Sequence, residues 1–199
     1  ISISAWRKIA GTSWPIALML VLNVIYFRID ILILSLFRTD QEVGWYSLAY
    51  KIIENGLFFP AMLGGLLLPH ITSAVTSNDS KRAKGLVSQG LLLSGYAAII
   101  AVMILVVFAD PLVVFIGGSL FGPSGELLQV LSLALAIMFF GNIFGFALIA
   151  LGKQRMLAAL YGALVLGNVA LNSAYVPRYG AIAASWVTVI TEAIAMLFA

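Results

Sequence analysis

Cysteine is absent, histidine occurs once, and charge is scarce: 10% of the 199 residues are Asp, Glu, Lys or Arg. Each shortage removes a class of function. Without cysteine there are no disulfides and no thiolate metal sites. His70 alone is too little for a zinc-type ligand set, so neither a metal nor a cofactor is expected, and its place beside Pro69 suits a helix end near an interface. A soluble domain carries about 25% charged residues. A chain with 10% charged and 62% hydrophobic residues is instead an integral membrane protein. No P-loop, Rossmann fingerprint, Ser-His-Asp set or paired-Asp motif is present, so the chain is not read as an enzyme, and no nucleic-acid partner is expected.

A helix needs about 20 apolar residues to cross the hydrocarbon core. Six stretches qualify: 14–37, 44–68, 86–109, 126–151, 156–176 and 181–199. The second is expected to continue as helix to about Ser77, interrupted by Pro60 and Pro69; the third is open to running past Asp110-Pro111 to Ile116. Basic residues alternate across the joints. Arg7, Lys8, Lys81, Arg82, Lys84, Lys153 and Arg155 fall on one side, Arg38 and Arg178 on the other. The positive-inside bias then places the side of residue 1 in the cytoplasm, and Trp14, Trp45, Tyr46 and Tyr179 fall near the expected interfaces. The expected fold is an all-α polytopic membrane helix bundle. The first residue is Ile rather than Met, and Met196–Ala199 ends within an apolar run. Residues 1–199 are therefore read as a single transmembrane domain cut from a longer chain.

Four charges interrupt the first two stretches: Arg28, Asp30, Lys51 and Glu54. Near the middle of a spanning helix each costs about 2.5–3.5 kcal/mol on insertion scales, so they must pair or face a wet cavity. With an outer loop over Arg38 to Val43, Asp30 and Lys51 both lie about 10 Å below the outer edge, and Arg28 and Glu54 about 14–15 Å. Depth permits Asp30–Lys51 and Arg28–Glu54 pairs. Arg28 and Asp30 point about 200° apart around their helix, so a network is expected rather than two separate bridges. One reading is a set of ion pairs that fix helix register. The other is a hydrated cavity for a polar or anionic group, favoured because four charges exceed what register needs. Asn23 shares a stripe with Asp30. Asn168 and Asn172 share a face of the fifth stretch, as packing hydrogen bonds or as the lining of a solute path. Glu192, in the sixth, has no adjacent partner and could face the same cavity. Gly141 and Gly145 form a small-xxx-small pattern read as a close helix contact, and Gly180 to Ser185 is read likewise. Pro15 and Pro60 are candidate bends.

Several stretches, taken together, resemble one family. They are Tyr26-Phe-Arg28-Ile-Asp30, Val43-Gly44-Trp-Tyr46-Ser47 running on to Lys51 and Glu54, Leu151-Gly152-Lys153-Gln154, Asn168 to Asn172, and Val176-Pro177-Arg178-Tyr179-Gly180-Ala181. The pattern resembles polysaccharide (O-antigen type) flippases of the multidrug/oligosaccharidyl-lipid/polysaccharide exporter superfamily. The resemblance implies one lobe, the second, of a MATE-like two-lobe transporter in a bacterial inner membrane, with the N-terminal lobe of the same chain missing. It implies movement of an undecaprenyl-diphosphate-linked oligosaccharide to the outer leaflet for polysaccharide export. Arg28 and Lys51 would then meet the diphosphate, and Asp30 and Glu54 would hold them or respond to a coupling H+ or Na+. Membrane lipid is a further expected partner. A drug/cation antiporter of the same superfamily stays open as the alternative, and a membrane-embedded polysaccharide-assembly enzyme is a more remote one.

Overall fold

The computed structural model describes residues 3–198, with the side chains of 3–10, 12 and 15 excepted. Pro15, Arg7 and Lys8 therefore lie outside the described side chains. Among the described residues the chain is helical throughout: α1 (Ile3–Phe37), α2 (Asp40–Gly56), α3 (Phe58–Thr76), α4 (Ser80–Val107), α5 (Ala109–Gly117), a single 3₁₀ turn (Ser119–Phe121), α6 (Ser124–Ala150) and α7 (Gln154–Phe198). Five segments are long and apolar enough to cross a membrane: Ile16–Phe37, Asp40–Thr76, Ser80–Val107, Ser124–Ala150 and Gln154–Phe198.

The last of these is two crossings. Gly180 breaks α7 with φ 63° and ψ −145°, a backbone region essentially reserved for glycine. The chain doubles back there. Asp30 hydrogen-bonds Asn172 on one side of the break and Thr188 on the other. In a straight helix those residues would stand about 24 Å apart, beyond the reach of one carboxylate. Asn172 and Thr188 lie eight residues either side of Gly180, as the two legs of a hairpin require. Among the described residues the crossings therefore number six.

Proline chemistry sets the other breaks. Pro60 has no N–H to offer the carbonyl of Gly56, and the α2–α3 joint falls at Leu57, just before it. The expected interruption at Pro60 is thus displaced by one turn. Pro69, also expected to interrupt, sits within continuous α3. Pro111 leaves the carbonyl of Val107 unpaired in the same way, and α4 ends there before α5 restarts at Ala109. The joint between α1 and α2 is tighter than the expected loop to Val43. It holds only Arg38 and Thr39, because Thr39 caps α2 by accepting the Glu42 N–H.

Two turns close the opposite, basic end. At Asn78 (φ 57°) and Gly152 (φ 72°) the chain turns left-handed. The N–H groups of Asp79 and Lys153 return to Ala74 and Leu148, which completes two Schellman-type stops. Between the ends, α1 packs chiefly on α7, while α6 runs through the middle and touches α2, α3, α4 and α7. The core centres on Tyr46, Ala49, Tyr50 and Ile53 of α2 against Leu128, Leu131 and Leu135 of α6. Ala181 and Ala184 join it from the second leg of α7, their small side chains leaving room for the stacked Tyr46 and Tyr50 rings.

Candidate functional site

Asp30 sits at the junction of α1, α2 and both legs of α7. Its side chain is buried. Asn172 Nδ2 donates to one carboxylate oxygen at 2.6 Å. Tyr46 OH at 3.2 Å and Thr188 Oγ1 at 3.0 Å approach the other. The Thr188 hydroxyl also lies 3.0 Å from the carbonyl of Ala184, and its single proton serves one acceptor at a time. Asn172 also donates to Asn168 Oδ1 at 2.8 Å. One turn toward the basic end, Tyr26 OH donates to Thr191 Oγ1 at 2.9 Å, next to buried Glu192. Among the described residues, neither Asp30 nor Glu192 forms an ion pair.

The opposite face of α1 is open. Arg28 Nη2 lies 3.0 Å from Glu54 Oε1, and Lys51 Nζ lies 3.0 Å from Glu54 Oε2. Glu54 thus holds two cations at once, one per oxygen. Arg28 and Lys51 keep 49% and 61% of their side-chain surface exposed, so both retain donors for a further acceptor. Beside them is a cavity of about 650 Å³ between α1, α2, α3, α6 and α7. Arg28 and Glu54 line it on the side of the α1–α2 joint, and Asn23, Tyr161 and Glu192 line it nearer the basic end. Gly141, Asn142 and Gly145 form part of its wall. The two glycines were expected at a close helix contact. A Cβ added at either would meet nothing within 4 Å, because the cavity lies there. Close approaches occur instead at Gly64, against the Phe146 ring, and at Gly90, against Leu67.

A third polar group locks the end opposite the basic turns. Glu42 Oε1 accepts the Ala181 N–H at 2.7 Å, and Glu42 Oε2 lies 3.3 Å from Arg38 Nε. The carboxylate therefore caps the first turn of the second α7 leg, where the helix dipole favours a negative charge. It also ties the α1–α2 joint to the Gly180 elbow. Trp45 Nε1 donates to the carbonyl of Leu120 at 2.8 Å and brings the 3₁₀ turn to the same end.

The sequence pattern of the MatE family matches residues 15–173. The chain belongs to the MatE family. Its fold agrees with that of two solved transporter structures, each with a TM-score of 0.82, 18% identity, 94% of this chain covered and 42% of the other. One is a MOP superfamily transporter from Pyrococcus furiosus, whose reversed binding-pocket polarity is described as suggesting a different function. The other is an outward-facing multidrug resistance MATE family transporter of the MOP superfamily. Among curated proteins, the "Probable low-salt glycan biosynthesis flippase Agl15" of Haloferax volcanii is 22% identical over 169 residues, 85% of this chain and 36% of the relative. The chain spans about two-fifths of the length of the proteins it matches.

Within this MatE fold, the eight residues singled out by sequence divide into two sets. Asn23, Arg28, Glu54 and Glu192 line the cavity, and Lys51 joins them through Glu54. Asp30, Asn168 and Asn172 instead gather in the buried cluster, off the cavity wall. The Arg28–Glu54 pair allowed by depth is made. The Asp30–Lys51 pair is not, because Asp30 turns inward to α7 while Lys51 turns outward beside Glu54. Sequence reasoning missed Thr188 and Thr191, which meet their partners only through tertiary packing; Tyr46, expected near an interface, is instead fully buried because its hydroxyl turns inward to Asp30, and Tyr26 was named without its bond to Thr191. Sequence reasoning also missed Glu42, although the Thr39-x-x-Glu42 spacing is a capping-box signature that could have marked it.

Proposed function

We propose that this MatE chain is one lobe of a two-lobe transporter that moves an undecaprenyl-diphosphate-linked oligosaccharide from the inner to the outer leaflet. The observation that carries the reading is the Arg28–Glu54–Lys51 group on the open face of α1 and α2. Two cations share one carboxylate and keep donors free, an arrangement suited to a diphosphate that must bind and then leave. The cavity adjoining them holds polar side chains in an otherwise apolar wall, so a head group could pass without any bond being broken. The glycan flippase relative supports the substrate class. Asp30, buried against neutral donors, is the position where a coupling H+ or Na+ would act on the hairpin of α7. The basic residues at the Asn78 and Gly152 turns would face the cytoplasm.

The second reading, export of small cations, is favoured by one observation: Glu192 lines the cavity with no basic partner among the described residues. Both readings meet the same experiment. The full-length gene is expressed in a bacterium lacking its polysaccharide flippase, with surface polymer and inner-leaflet lipid-linked precursor as readouts. Restored polymer, lost in Arg28→Ala and Lys51→Ala at matched expression while precursor accumulates, supports the flippase and its charged site. Restoration unaffected by either variant keeps the function and removes the site. No rescue, together with efflux of cationic dyes that Glu192→Gln abolishes, replaces the flippase with the cation exporter.

A further inference from the structure

A second cavity, of about 550 Å³, opens at the basic end between α3, α4 and the end of α6. Its lining changes character along one stripe of α4. Ser80, Ala83, Lys84, Val87, Ser88 and Leu91 recur at helical spacing, with the one charge near the turn and Ser88 the one polar residue further in. Ile71 of α3 and Ala147 of α6 form the apolar floor, and Asn78 sits at the mouth. From Ser80 to Leu91 the stripe runs roughly 16 Å along the helix axis. Among the described residues Lys84 has no carboxylate partner.

Charge at this end has one dominant sign. The turns at Asn78 and Gly152 carry Lys81, Arg82, Lys84, Lys153 and Arg155 against the single acid Asp79. The Asp79 carboxylate is already engaged, accepting the Arg82 N–H at 2.9 Å to cap α4. A groove with an apolar floor and an unpaired lysine at its mouth matches a molecule with an anionic head and a hydrocarbon tail. Basic pockets between membrane helices take anionic lipid head groups for the same reason.

We propose that this groove is a binding site for an anionic phospholipid of the adjoining leaflet. The phosphate sits at Lys84, Ser80 and Asn78, and one acyl chain lies along Val87 and Leu91 against Ile71. The site is separate from the cavity lined by Arg28 and Glu192, and it clamps α3 and α4 to the end of α6.

The test uses the full-length protein in nanodiscs and in native mass spectrometry. Lipids released stepwise from the protein are compared for phosphatidylglycerol and phosphatidylcholine, with glycerol phosphate as a chainless competitor. Retention of phosphatidylglycerol over phosphatidylcholine is expected. Lys84→Gln should lower phosphatidylglycerol retention about fivefold, the equivalent of about 1 kcal/mol per basic residue at an anionic surface. Val87→Trp, which fills the groove, should lower retention of both lipids. A photo-crosslinker at position 87 should capture lipid. The proposal is overturned if phosphatidylglycerol retention survives both substitutions, or if glycerol phosphate displaces the lipid as well as an intact lipid does. Crosslinking of position 87 to another part of the protein also overturns it.

Discussion

Gly180→Ala is expected to be the most destabilising single methyl group that can be added at the end of this bundle opposite the basic turns. Two costs converge. The backbone at φ 63° and ψ −145° imposes about 1–3 kcal/mol on a residue with a Cβ. The new Cβ would also collide with the Glu42 carboxylate and lie 2.6 and 2.8 Å from Arg38 Nη2 and Nε. Displacing Glu42 sacrifices its bond to the Ala181 N–H, a charge-assisted hydrogen bond of about 1.5–3 kcal/mol. The sum is about 2.5–6 kcal/mol, and the expected value lies in the lower half because Arg38 can swing aside. Unfolding in mixed micelles by rising dodecyl sulfate, followed by tryptophan fluorescence, measures it. Glu42→Ala alone loses the cap bond. The double variant loses that bond once and has no clash left with the carboxylate. The two changes should therefore fall short of additivity by about 1.5–3 kcal/mol. A Gly180→Ala protein within about 0.5 kcal/mol of the parent, or a strictly additive cycle, would refute the elbow lock.

Three further outcomes are expected. Arg28→Ala and Lys51→Ala should each change unfolding stability by no more than about 1 kcal/mol, because exposed ion pairs contribute little; a larger loss in the same assay would mark the group as structural. Asp30→Leu strands one Asn172 donor, while Thr188 and Tyr46 fall back on the Ala184 carbonyl and the Thr188 hydroxyl, and should cost about 1–3 kcal/mol, with Asp30→Asn much milder; equal losses would mean the hydrogen bonds are not what holds α1 to α7. Gly64→Ala pushes into the Phe146 ring and should cost about 1–3 kcal/mol, recovered at least in part by Phe146→Leu, and failure of that rescue in thermal unfolding would place the strain elsewhere.

The crossings were legible because hydrophobic length and the sign of the joints depend on local composition. Even the hairpin of α7 left a trace, since Pro177, Gly180 and the small residues after it separate two apolar runs. The bend in the second crossing was placed at Pro60, but a proline disables the carbonyl four residues earlier, so the joint sits at Leu57 instead. The charged set was visible as residue types, and the 200° between Arg28 and Asp30 already separated them around α1, but which of the two would turn inward, and onto which partners, was not. Depth put Asp30 level with Lys51, yet depth says nothing of azimuth once Asn172 and Thr188 compete for the same carboxylate. Thr188 and Tyr46 look like ordinary residues of apolar helices, and only the return of α7 against α1 gives them a polar task. Gly141 and Gly145 misled for a related reason. Small residues permit close packing, and they also widen a cavity.

The bonds of Asp30 have a consequence in time. Its partners are made in sequence: Tyr46 follows 16 residues later, Asn172 after 142 and Thr188 after 158. At about 5–20 residues per second of synthesis, the acid waits roughly 7–30 s in a newly inserted helix with a tyrosine as its earliest helper. For that interval the first crossing rests on its own apolar length against an insertion cost of about 2.5–3.5 kcal/mol. The hairpin at Gly180, synthesised long after α1, is what closes the ring of hydrogen bonds, so α1 completes its own packing only when the second leg of α7 arrives. Membrane quality control would meet the chain in that unfinished state on every round of synthesis.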